Sequence, residues 1–80
     1  MEVGSVVYVL AGRDKHRFCA VVKLEAGSAL VADGKTRKLA SPKRKNTLHL
    51  RPTKTVLPPG ALLTDKQLRL ALGPYNKREG

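Results

Sequence analysis

Residues 5–24 read SVVYVLAGRDKHRFCAVVKL, two apolar runs joined by a short, heavily charged segment. Ser5 to Leu10 and Arg17 to Leu24 are dense in β-branched and aromatic residues, which suit the pleated surface of a strand. Residues 11–16 between them contain Gly12, which can adopt backbone conformations closed to other residues, and read as a tight turn. The expected unit is a β-hairpin. Its turn needs polarity, yet it does not need Arg13, Lys15 and Arg17 at alternating positions, and that excess points to a contact surface.

Beyond the hairpin, Glu25-Ala26-Gly27 makes a turn into a third strand, Ser28 to Ala32. Asp33-Gly34 is a favoured pair for a two-residue hairpin turn, so Lys35 to Leu39 is expected to return antiparallel to the third strand. Residues 40–46 carry Pro42-Lys43-Arg44-Lys45 and read as a basic loop. In Thr47-Leu48-His49-Leu50-Arg51 strict alternation predicts a fifth strand, with Leu48 and Leu50 facing the core and His49 and Arg51 facing solvent. Five short strands in so small a chain predict a mainly β fold, a bent, barrel-like sheet over residues 1–51. Pro52, Pro58, Pro59 and Gly60 then mark residues 52–63 as a linker packed on the barrel. Thr64 as N-cap, with Gln67 completing a capping box and Leu63 and Leu68 as a hydrophobic staple, opens a short helix. That helix, residues 64–73, is expected to stop at Gly73-Pro74, leaving 74–80 as a flexible tail.

Sixteen Lys and Arg stand against six Asp and Glu, a net charge of +10 that calls for an anionic partner. The interval from Gly34 to Thr64 has no acidic residue, while it holds Lys35, Arg37, Lys38, Lys43, Arg44, Lys45, Arg51 and Lys54. Uncompensated charge of this kind is an electrostatic footprint for nucleic acid. A membrane partner is not expected, because the longest apolar stretch, Val6 to Ala11, is far short of the ~20 residues of a spanning helix. RNA is favoured over DNA, since no long basic helix is available to lie in a major groove. Tyr8, Phe18 and Tyr75 are too few to suggest a base-stacking platform, so the implied mode is phosphate and sugar contact with structured RNA. Neutralising about five phosphates corresponds to a salt slope of about −4.

The amino terminus has Glu2 where a secretory signal would be basic, and the lone Cys19 lies in an apolar run, so a cytoplasmic, reducing compartment is expected. His16 and Cys19 lie three apart, but no third group orients them for nucleophilic catalysis, and two distant histidines with one cysteine do not make a metal site. No enzyme activity, metal or cofactor is expected.

GSVVYVLAGRDKHRFCAVVKL together with ALVADGKTRKLASPKRKNTLHL resembles the KOW-motif RNA-binding proteins, in particular short bacterial relatives of eukaryote-type large-subunit ribosomal proteins with an SH3-like barrel. The likeness spans residues 3 to 51 and rests on Gly4, Ala11 to Lys15, Val31 to Gly34 and the Pro42 to Lys45 run ending in Leu48-His49-Leu50. It implies a small SH3-like barrel of about five strands with RNA, rRNA first, as partner; ribosomal or transcription–translation proteins are the further partners expected. The family pattern reads Gly-Arg-Asp-Lys-Gly-Arg, whereas this chain has His16 at the second glycine. The resemblance implies that the loop between the first two strands meets RNA, which carries over to Arg13, Lys15 and Arg17, with His16 among them. The basic residues Lys35, Arg37, Lys38, Lys43, Arg44 and Lys45, and the outward His49 and Arg51, complete the expected RNA-binding set. The alternative is a protein-interaction adaptor on the same barrel, although three aromatics make an aromatic-lined peptide groove hard to build.

Overall fold

A computed structural model describes residues 1–76. Five strands form one antiparallel sheet: β1 (Ser5–Val9), β2 (Phe18–Glu25), β3 (Ser28–Ala32), β4 (Lys43–Asn46) and β5 (Leu50–Val56). They are ordered β4-β3-β2-β1-β5, and helix α1 (Asp65–Asn76) follows. The fold is therefore mainly β with one carboxy-terminal helix.

Connectivity forces this sheet to curl. β4 and β5 occupy opposite edges, about 19 Å apart in a flat five-stranded sheet with strands ~4.8 Å apart. Yet Asn46 ends β4 and Leu50 opens β5, and four residues reach at most about 14 Å. The sheet closes on itself until the 3₁₀ turn Thr47–His49 can bridge its edges. A register shift between Val21 and Lys23 supplies a bend in β2.

The curl makes two apolar compartments. Val7, Val9, Cys19, Val21, Ala29, Val31 and Leu50 fill its interior. Val6, Ala20 and Ala32 point to the opposite face, where Leu68 and Leu72 of α1 cover them. Removing either leucine to Ala costs roughly 2–5 kcal/mol in such a site, so the helix is an integral wall of the domain. Among the described residues no helix is long and apolar enough to cross a membrane.

Several expected boundaries move. Lys35 to Leu39 is not a strand, because Asp33 bends the chain on itself: its Oδ1 accepts from Lys35 N (2.9 Å) and Arg37 N (2.8 Å), while Asp33 N and Gly34 N both donate to Arg37 O. These local bonds replace the ladder a two-residue turn would have started. The strand beside β3 is instead β4, formed by residues expected to be loop, with Ala29 paired to Lys45. Lys43 and Arg44 place charge on that sheet edge, which discourages pairing with another chain. Thr47 to His49 form the 3₁₀ turn rather than a strand, so Leu48 is exposed while Leu50 is buried.

β5 runs on to Val56 through the expected linker. Pro52 is tolerated because β5 is an edge strand, and Thr53 Oγ1 donates to Val6 O (2.8 Å) where the β1–β5 register slips. The helix starts as expected, with Thr64 Oγ1 accepting from Gln67 N (3.1 Å), but the staple does not form, since Leu63 is exposed. Nor does Gly73-Pro74 end the helix. Tyr75 packs on Phe18, and the Asn76 side chain bonds both Phe18 N and Phe18 O at 3.0 Å, which holds the last turn in place across the missing proline N–H. Of the expected tail, residues 74–76 are thus helical, and 77–80 lie outside the described residues.

Candidate nucleic-acid interface

Two buried carboxylates organise the basic segments. Asp14, in the loop between β1 and β2, accepts from Arg37 Nε at 2.9 Å and lies 3.6 Å from Lys45 Nζ. Asp33, after β3, receives Arg17 through Nε (3.1 Å) and Nη2 (3.0 Å). Lys45 Nζ also approaches Ala11 O at 3.4 Å. These bonds draw residues 11–17, residues 33–37 and the middle of β4 into one continuous rim. Leu10 N donates to His49 O (2.8 Å), which attaches the 3₁₀ turn to it.

The expected RNA-binding residues fall into two groups. Arg17, Arg37 and Lys45 point their charges at buried carboxylates, and Lys45 is itself buried. Arg44 pairs with Glu25 at 3.1 Å in an exposed bridge. Acids outside the acid-free interval therefore reach in and compensate part of it. Arg13, Lys15, Lys35, Lys38, Lys43, His49 and Arg51 are exposed, and none of them pairs with a carboxylate among the described residues. Arg13 and Lys15 thus lie exposed on one of the joined segments, and Lys35 and Lys38 lie exposed in and just after the other.

His16 adopts φ of 72°, the left-handed conformation that glycine accepts most easily. Its N–H donates to Val9 O (2.8 Å), closing the hairpin loop, and its Nδ1 lies 2.9 Å from the Tyr8 hydroxyl. Cys19 is buried, and desolvation, helped by the nearby Asp33 and Asp14 charges, pushes its thiol up to about 12. At neutral pH it holds its proton and is a core residue rather than a nucleophile.

Asp33 as an organiser was not apparent from sequence, where it read only as a turn former; its distance from Arg17 in the chain hides the pairing. Nor was it apparent that all three aromatics meet. Tyr8 and Phe18 are cross-strand partners with ring centroids 4.9 Å apart, and Tyr75 stands 5.1 Å beyond Phe18. No protein-family model matches the chain, and no curated protein matches it either.

Proposed function

We propose that the chain is a non-catalytic RNA-binding module of KOW type, which grips the phosphates of structured RNA, ribosomal RNA in the first instance, with its joined basic loops. The observation that carries this reading is the pair of buried carboxylates, Asp14 and Asp33, which spend Arg37, Lys45 and Arg17 on joining two loops. Arg13, Lys15, Lys35 and Lys38 are thereby left outward on adjoining segments. Cations held side by side by a rigid scaffold neutralise neighbouring phosphates without first being ordered, and the gain comes from released counterions. The resemblance of residues 3–51 to KOW proteins supports the same ligand.

A salt series with an RNA stem-loop tests it. Wild type should show a log–log slope of about −4, and the variant with Ser at Arg13, Lys15, Lys35 and Lys38 should lose about one unit of slope per contact removed. Lys23→Ser with Lys54→Ser, outside the joined loops, should change the slope little. A four-site variant that binds like wild type would refute the assignment.

A further inference from the structure

The register of the sheet sets three side chains in a row on one face. Arg51 of β5 is paired with Tyr8 of β1, and Tyr8 with Phe18 of β2. The Tyr8 and Phe18 rings are tilted by 54° and both residues are half-buried, so each keeps some surface open to solvent. With Pro52 and Thr53 these three residues line an open depression of about 340 Å³. That volume lies at the small end for a ligand site, which suits one planar ring system rather than a long peptide.

Its chemistry is mixed in a specific way. Tyr8 adjoins Arg51 across the strands and Phe18 lies beyond Tyr8, while the Arg51 guanidinium has no carboxylate partner among the described residues. A flat heteroaromatic ring with an attached phosphate satisfies both halves, the ring by stacking and the phosphate by the cation. One of its lining residues also touches the basic rim, since the Tyr8 hydroxyl is bonded to His16 of the β1–β2 loop. Arg13 and Lys15 belong to that same loop.

We propose that Tyr8, Phe18 and Arg51 form a stacking site for a single unpaired nucleobase of the bound RNA. This rests on the RNA-binding reading above. It adds a preference that phosphate contacts cannot produce: a duplex buries its bases, whereas a loop or bulge can offer one to the protein.

Two RNAs with equal numbers of phosphates, one a stem-loop with unpaired nucleotides and one a blunt duplex, separate the two ideas. Wild type is expected to bind the stem-loop about tenfold more tightly, within the range set by one base–aromatic stack. Tyr8→Leu should abolish that preference while leaving duplex affinity and its salt slope intact, and Tyr8→Phe should retain it. Duplex affinity doubles as the check that Tyr8→Leu is folded. Should that variant not fold, backbone amide NMR of wild type still decides, with shifts expected at Tyr8, Phe18 and Arg51 for the stem-loop and not for the duplex. Equal affinity for both RNAs, or a preference that survives in Tyr8→Leu, overturns the stacking site and leaves phosphate binding standing. Failure to bind either RNA overturns both readings. Shifts at these residues on adding a proline-rich peptide, with none on adding the stem-loop, overturn the site in favour of a protein partner.

Discussion

Asp14 has a side chain only 3% exposed and faces both Arg37 and Lys45, whereas Glu25 and Arg44 form a bridge in which the arginine is 67% exposed. Removing Asp14 leaves the buried Lys45 without a counter-charge, so Asp14→Ala should cost about 3–5 kcal/mol in urea unfolding. Arg44→Ala should cost less than about 1 kcal/mol, because its bridge is screened by water. With φ of 72° the Cβ of His16 crowds the following carbonyl, and His16→Gly relieves about 1 kcal/mol of that while losing the exposed bond to Tyr8. The net expectation is an intact fold with a Tm raised by about 2–4 °C, read by circular dichroism. Cys19 gives a pH dependence. Its folded pKa, about 12, lies above the ordinary 9.0, so the native state keeps a proton that the unfolded chain releases. Its stabilising effect is complete below pH 9 and declines as pH climbs toward 12, by at most about 1.4 kcal/mol per pH unit. Denaturant midpoints at pH 8 and pH 10.5 should therefore diverge, and by less in Cys19→Ala.

The seating of α1 depends on one backbone position in the turn after β3. Gly34 has φ of 80°, and a Cβ there would sit 2.3 Å from Asp65 O and 2.9 Å from Arg69 N. The turn after β3 thus abuts the first turns of the helix directly, and Asp65 Oδ1 reinforces the junction by accepting from Leu39 N at 2.8 Å. Those neighbours are backbone atoms that cannot swing aside, so Gly34→Ala must displace the helix from Ala32 and lose burial of Leu68. A cost of about 3 kcal/mol or more is expected. Gly27 has a similar φ of 74° but open space around it, so Gly27→Ala should cost only about 1 kcal/mol. Equal losses in the two thermal melts would mean that backbone conformation alone, and not the approach of the helix, accounts for Gly34.

Over the whole molecule a charge of +10 acts in two directions at once. Repulsion among cations weakens the isolated fold, while the same cations attract a polyanion. Added salt screens both, so moving from low to physiological ionic strength should raise the Tm of the free protein by about 4 °C and weaken its RNA binding. A Tm that falls with salt would show that the buried ion pairs outweigh the repulsion.

Strands β1 to β3 and the start of α1 were legible in the sequence because each is a local affair: a run of β-branched residues, a glycine at a turn, a threonine hydroxyl three residues before the amide it caps. The lopsided distribution of acids was legible for the same reason. Which cations are available was not, since Asp14 meets Arg37 across 23 residues and Asp33 meets Arg17 across 16. Composition counts charges and cannot say which are neutralised by folding. Likewise three aromatics can be read off the chain, but it takes the closing of the sheet and the docking of α1 to bring them onto one surface. Spacing along a chain constrains neighbours over a few residues, whereas contacts between distant segments depend on how the whole chain packs.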